Sequence, residues 1–261
     1  MEKSEHINPF SSLQRSGRLG TVIIYEPELS STNTLALELI KNDVENGAVV
    51  ITDLQTDGRG RGGSTWEAVR AKGLTFSLIL YPHLPATYGN YISLLTGIAI
   101  ASTLKKFHID AQLKWPNDVL VSGKKLGGIL CESHIRNHRI ESLVIGIGLN
   151  VNENADNFSP QLNKTATSMN LETSKEFDRA EVLSKLLKEL DHWLDIWTAG
   201  DTKEILAKWM QHCSHIEQPV KFKSGAAWAE GIFKGVTDHG EAILDTGSGS
   251  IVYSGSDLTI L

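Results

Sequence analysis

The stretch Gln55-Thr56-Asp57-Gly58-Arg59-Gly60-Arg61-Gly62-Gly63-Ser64-Thr65-Trp66 decides how this chain is read. Four glycines and a small serine free the backbone to turn its N–H groups toward an anion. Arg59 and Arg61 are interleaved with them, and an arginine fork matches phosphate or carboxylate oxygens. Trp66 adds a large flat face. The composition predicts a loop that binds a phosphate-bearing ligand; the plain alternative is a flexible surface loop. The GxGxxG spacing formally fits a dinucleotide fingerprint, but no helix opens on Gly63. Tyr81-Pro82-His83 also supplies no acidic residue where that fingerprint needs one. No GKS or GKT follows, so the loop is not a P-loop.

On either side of the loop the pattern alternates strands and helices. Thr21–Tyr25 reads as a strand that Pro27 ends, and Ser30-Ser31-Thr32-Asn33 caps a helix carrying Leu35, Leu39 and Ile40. Ala48–Leu54 is a strand that delivers the chain into the loop. Leu74–Tyr81 is apolar enough to be buried on both faces. Tyr91–Phe107 is predicted as a helix and Ala111–Lys114 as a short strand. Val119–Val121 and Gly127–Glu132 form two strands joined by Ser122-Gly123-Lys124-Lys125, and Leu143–Leu149 forms a further buried strand. Residues 152–176 read as a long loop with little structure of its own. Asp178 opens a helix whose stripe includes Trp193 and Trp197, and a second helix covers Thr202–His212. From about Gln218, short alternating runs broken by glycine predict a small β-barrel, so the domains are expected at 1–216 and 217–261. Residues 1 to about 19 are expected to be polar and irregular.

The chain has 261 residues, 41% hydrophobic and 21% charged, enough to bury a sizeable core. A net charge of −6 argues against a nucleic-acid binder working through a broad basic surface. Cys131 and Cys213 form no CxxC pair and are expected as reduced, buried thiols. With no signal-peptide core and no run of about 18 apolar residues, no membrane contact is expected and the protein reads as cytoplasmic.

Lys114 stands at a strand end in Lys114-Trp115-Pro116-Asn117-Asp118, where a lysine can neutralise negative charge that develops on a carboxylate or phosphoryl oxygen. Gly127-Gly128 and Gly146-Ile147-Gly148 put glycines inside apolar strands, which marks either close approach of a ligand or backbone, or a bulge. His212-Cys213-Ser214-His215 lacks the second cluster that a structural zinc site shows.

As an ordered set, Ser31-Thr32-Asn33, Gln55 through Trp66, Lys114 through Asp118, Leu126-Gly127-Gly128-Ile129-Leu130 and Gly146 through Asn150 resemble the biotin protein ligase family. The resemblance runs from about residue 21 to the C-terminus. It implies an α+β fold, a mixed sheet flanked by helices of the class II synthetase-like kind, with a C-terminal SH3-like barrel. It implies ATP-dependent biotinylation of a lysine on a biotin carboxyl carrier protein through biotinyl-5′-AMP. Biotin would be held by Ser31, Thr32, Asn33, Gln55, Arg59, Gly60, Arg61, Lys114, Gly127, Gly128, Gly146 and Gly148. Arg61, Trp66, Asn117 and Asn150 would take the nucleotide, and Lys114, Arg59 and Arg61 would carry the catalysis. Mg²⁺ would come with ATP, near Asn150 or Asp118, with no metal site from the protein alone.

Many members carry an arginine where this chain has Ser64, which implies either weaker phosphate binding or compensation by Arg70 or Lys72. The few residues before the first strand imply a form without an N-terminal DNA-binding domain. A homodimer through open strand edges is also implied. A lipoate or octanoyl-protein ligase or transferase, or a biotin sensor without catalysis, are the alternative readings.

Overall fold

A computed structural model of the chain describes residues 8–11, 13, 17–225, 227–255 and 258–261. Seven strands form one mixed sheet: β1 Ile23–Leu29, β2 Val49–Gln55, β3 Leu74–Leu80, β4 Gln112–Lys114, β5 Asp118–Val121, β6 Lys124–Arg136 and β7 Arg139–Leu149. Their spatial order is β1-β2-β3-β7-β6-β5-β4, with β1 and β2 parallel and every other pair antiparallel.

The period of two divides the sheet's faces. Val49 and Ile51 of β2, Phe76 and Leu78 of β3 and Ile145 and Ile147 of β7 enter the main core. There they meet the helices α2 Gly89–Lys105, α4 Arg179–Thr198 and α5 Thr202–His212. Residues of the opposite parity, Val50, Ile79 and Val144, pack against Ala36 of helix α1 Thr32–Ile40 on the other face. Helix α1 joins β1 to β2 and is the short member of the set, so it covers only part of its face.

Several expectations hold and several are corrected. Strand β1 runs through Pro27 to Leu29 instead of ending there. Proline is tolerated because β1 lies at the sheet's edge, where one side of the strand has no ladder to complete. The β5–β6 turn is Ser122-Gly123 alone, with φ of 52° and 75°, and Lys124 and Lys125 already belong to β6. β6 and β7 are longer than expected because Asn137 and His138, with φ of 50° and 58°, close a second tight hairpin. Of the polar N-terminal stretch, residues 1–7, 12 and 14–16 lie outside the described residues; Phe10, Leu13 and Leu19 are buried in the main core.

Residues 152–176 are not a free loop. They contain a helix α3 Met169–Thr173 and are tied to the sheet. Lys125 N donates to Thr165 O at 2.7 Å, Thr167 N to Lys125 O at 2.9 Å, and Asn152 exchanges two hydrogen bonds with the Phe177 backbone. The abundant Asn, Ser and Thr serve as backbone partners here rather than as solvated loop residues.

The C-terminal unit comprises β8 Pro219–Ser224, β9 Ala227–Val236, β10 Ala242–Asp245, β11 Ser250–Tyr253 and β12 Leu258–Ile260. They make an antiparallel sheet ordered β11-β10-β9-β8-β12, and among the described residues no pairing of β11 with β12 closes it into a barrel. It docks firmly. Trp115 Nε1 donates to Gly240 O at 3.1 Å, its ring packs on Tyr253, and Tyr91 donates its hydroxyl to Asp238 O. Buried His215 lies 4.1 Å, ring to ring, from Phe233, and burial and the charge of Lys114 push it down to about 4, so it is neutral at pH 7.

Glu153, at the start of the docked segment, is 3% exposed, and among the described residues its Oε2 has no hydrogen-bond partner. Burial pushes its carboxyl up to about 7, against the pull of Arg179 and Lys72. The folded state therefore holds a proton that the unfolded chain has already released, and stability falls as pH rises from about 4.5 to about 7. Glu153→Gln is expected to melt higher than the parent at pH 8, with the gap shrinking toward zero near pH 4. Thermal melts across that range check it, and a pH-independent gap would be the contrary result.

Candidate active site

Beyond Gln55, the loop folds on itself as a small hairpin. Trp66 N donates to Gly58 O at 2.9 Å, Gly60 N to Ser64 O at 2.7 Å, and Arg59 bridges Thr65. A single 3₁₀ turn over Arg61–Gly63 forms its tip, with φ of 61° and 81° at Gly62 and Gly63. A Cβ on Gly58 would overlap the Trp66 carbonyl, and one on Gly60 the Ser64 hydroxyl. Ser64 Oγ donates to Arg61 O at 2.7 Å, so the residue that departs from the family pattern closes the tip. Arg70 pairs instead with Glu28, and Lys72 lies 3.9 Å from Glu176; neither lines the cavity, which removes both as compensating cations.

The loop is one wall of a cavity of about 400 Å³ on the α1 face of the sheet. It also borders a second cavity of about 800 Å³, lined in addition by Trp115, Cys131 and Glu132. The floor of the first is set by strand register. Thr75, Gly148 and Gly128 lie side by side on β3, β7 and β6, and Ser77, Gly146 and Leu130 form the next row. A Cβ on Gly148 would overlap the Trp66 indole, and one on Gly146 the Asn33 carboxamide. The glycines are thus bare because the chain's own side chains lie on them.

The structure brings together most of the residues singled out from sequence. Ser31, Thr32, Asn33, Gln55, Arg59, Gly60, Arg61, Trp66, Lys114, Asn117, Asp118, Gly128, Gly146 and Gly148 all line the cavity. Two of them lie elsewhere. Gly127 has the opposite parity and faces Leu149 and Val119 in the core. Asn150 is buried, donates Nδ2 to Thr167 O at 2.8 Å and holds the docked segment.

The polar floor is wired internally. Thr32 N and Oγ1 lie 2.7 and 3.1 Å from Gln55 Oε1. Ser77 Oγ lies 2.7 Å from Thr32 Oγ1 and 2.6 Å from Asn33 Oδ1. Asn33 Nδ2 donates to Glu132 Oε2 at 2.7 Å, and Arg59 grips the same carboxylate with two N–H groups, at 2.8 and 3.2 Å.

Four cations meet here in a chain of negative net charge. Arg59 is matched by Glu132, and Asp118 holds both Lys125 at 2.6 Å and Lys114 at 3.3 Å. Arg61 has no carboxylate partner among the described residues. Four cations against two carboxylates leave the site positive and fit to hold anions. Cys131, beside Glu132, is pushed by burial up to about 12, and Cys213 up to about 11, so both remain thiols.

Glu132, Ser77, Thr75 and Lys125 were missed as site residues. Lys125 was visible only as a turn residue, and the other three show no local signal, because their place depends on which strands neighbour one another. Trp228, Leu258 and Thr259 of the C-terminal sheet also reach the cavity rim, which no pattern within that unit announces.

Residues 25–150 match the biotin/lipoate A/B protein ligase family, and residues 215–256 the biotin protein ligase C-terminal domain. The bifunctional ligase/repressor BirA of Bacillus subtilis is 34% identical over 88% of this chain and 71% of its own length. The biotin–[acetyl-CoA-carboxylase] ligase of Paracoccus denitrificans is 30% identical over 82% of this chain and 90% of its own. The chain belongs to the biotin protein ligase family. The biotin protein ligase of Aquifex aeolicus, solved with biotin and ATP, superposes on this ligase-family fold with a TM-score of 0.78 at 30% identity. That match covers 92% of this chain and 100% of the other. Among the described residues no helix is long and apolar enough to cross a membrane.

Gly148→Ala is expected to lift Trp66 off the sheet without unfolding the protein. The check is a red shift in tryptophan emission that is absent when the same change is made in Trp66→Phe. Emission unchanged in the parent background would show that the indole does not depend on the bare glycine.

Proposed function

We propose that this protein is a cytoplasmic biotin protein ligase that acts on the carrier domain of a biotin-dependent carboxylase. The observation that carries the reading is the polar floor of Ser31, Thr32, Asn33 and Gln55 lying directly under a wall of cations. The floor suits the polar head of biotin. An octanoyl or lipoyl chain would leave these groups facing hydrocarbon, which disfavours the lipoate reading.

The chemistry needs no enzyme nucleophile. A biotin carboxylate oxygen attacks the α-phosphorus of ATP, the bond to the β-phosphate oxygen breaks, and pyrophosphate leaves. The acceptor lysine amine then attacks the acyl carbon, the anhydride C–O bond breaks and AMP leaves. Two anions must first be brought together. At about 4 Å and an effective dielectric near 20, two unit charges repel by about 4 kcal/mol. Arg61, whose guanidinium no carboxylate occupies among the described residues, would hold the carboxylate and α-phosphate. Lys114 and Lys125, fixed by Asp118, stabilise charge at the junction. Arg59, already held by Glu132, acts chiefly by fixing the loop beside the biotin carboxylate. Gly60, Gly128, Gly146 and Gly148 shape the biotin end of the cavity, and Trp66 and Asn117 border the nucleotide. Trp66 and the loop exclude water from an adenylate that hydrolyses when exposed.

Mg²⁺ would arrive on the triphosphate and help neutralise it. Neither side chain expected beside it fits as a ligand: Asp118 is taken by two lysines, and Asn150 is buried outside the cavity. The boundary at 216/217 is kept as the domain division, since it falls just before β8. The open outer edge of β1, and of β6 beyond Gly128, supports a homodimer.

Biotin-dependent exchange of pyrophosphate into ATP tests the reading, with lipoate as the control. Exchange with biotin alone is expected; exchange with lipoate alone, or none, overturns it. Arg61→Ala and Lys114→Ala are each expected to lower the rate on the order of 10²–10³. A normal rate in Lys114→Ala would remove that lysine from the mechanism.

A further inference from the structure

We infer that Glu132 is a positioning residue that latches the glycine loop to the sheet and fixes the hydrogen-bond polarity of the biotin floor. The inference rests on the ligase reading above for its substrate, but the latch itself is a property of the ligand-free protein. Glu132 lies on β6 one inward position beyond Leu130, and it does not itself line the substrate cavity.

A carboxylate can only accept hydrogen bonds. Asn33 must therefore turn Nδ2, not Oδ1, toward Glu132 Oε2 at 2.7 Å. That leaves Asn33 Oδ1 facing Ser77 Oγ at 2.6 Å, so Ser77 must donate to it. The single Ser77 proton is then committed. The single Thr32 hydroxyl proton then faces two acceptors, Ser77 Oγ at 2.7 Å and Gln55 Oε1 at 3.1 Å, and is committed within the network. Gln55 Oε1 is satisfied by Thr32 N at 2.7 Å, which turns Gln55 Nε2 toward Gly58 in the loop. Asn33 Nδ2 also donates to Leu130 O at 3.2 Å, so the half-buried carboxylate and that carbonyl together set the direction of the links. Thr32, which lines the cavity, is left with no free proton and can only accept, as an N–H of a ureido ring requires. The wiring starts on the loop at Arg59 and returns to the loop's base at Gln55, so loop position and floor polarity are set together.

An alternative role, a plain structural ion pair, would change melting temperature and nothing else. Two readouts separate the two. In Glu132→Gln, which keeps the shape and removes the charge, trypsin is expected to cut after Arg59 and Arg61 about tenfold faster in the ligand-free protein. The biotin KM in pyrophosphate exchange is expected to rise about tenfold, with kcat changed much less.

Unchanged tryptic cutting in Glu132→Gln overturns the latch. An unchanged biotin KM in Glu132→Gln overturns the polarity argument. If Glu132→Gln does not fold, Glu132→Asp, which keeps the charge and shortens its reach, is read in the same two ways. A parent protein that exchanges no pyrophosphate with biotin defeats the ligase reading, while the cutting experiment still decides the latch.

Discussion

Two inward positions of β7 carry no side chain, and the site is built on that bareness. Gly146 lets the Asn33 carboxamide reach the sheet, and Gly148 lets the Trp66 indole lie flat on it. With alanine at either place, the start of helix α1 or the end of the loop would have to stand off. Helix α1 has nine residues, about 13 Å of helix at about 1.5 Å per residue. It therefore covers Val50, Ile79 and Val144, reaches the Gly146 row with Asn33 in its first turn, and stops short of the Gly148 row. The cavity is the part of the sheet face that the short helix leaves uncovered.

Onto that floor the fold delivers charge from three directions. The loop brings Arg59 and Arg61 from β2, the turn between β4 and β5 brings Lys114 and Asp118, and the start of β6 brings Lys125. Asp118 and Glu132 do not neutralise the site; each fixes cations in place while the total stays positive. A protein that must join two anionic substrates needs such a local excess even when its overall charge is negative. The two carboxylates divide the work, since Asp118 orients the lysines and Glu132 orients the loop.

The docked segment 152–176 and the C-terminal sheet make this arrangement rigid. The first ties its backbone to Lys125, and the second seats Gly240 and Tyr253 on Trp115, next to Lys114. Buried groups mark the seams. Among the described residues Glu153 and His215 are each partly unpartnered; burial pushes the Glu153 carboxyl up to about 7 and holds His215 neutral at pH 7. Both lie close to segments that carry site residues.

The sequence alone determined the strand and helix succession, the change of texture near Gln218 and the identity of the loop. Those follow from local rules: β-branched runs, caps, turn residues and glycine spacing act over a few residues. The sequence's own chemistry marked Arg61 in the glycine loop and Lys114 at a strand end, whereas Ser31, Thr32 and Gln55 were marked by the family resemblance. It misread Pro27, the 152–176 segment and the length of the β6–β7 hairpin, where an edge position, a distant backbone partner and a pair of left-handed residues override local preference. Only the tertiary structure decided that Gly128 faces the cavity while Gly127 faces the core, since a shift of one residue reverses a strand's faces. Only it could set Glu132 against Arg59 and Asn33, residues 73 and 99 positions away along the chain. Such a network depends on which strands become neighbours, and no spacing in the sequence encodes that.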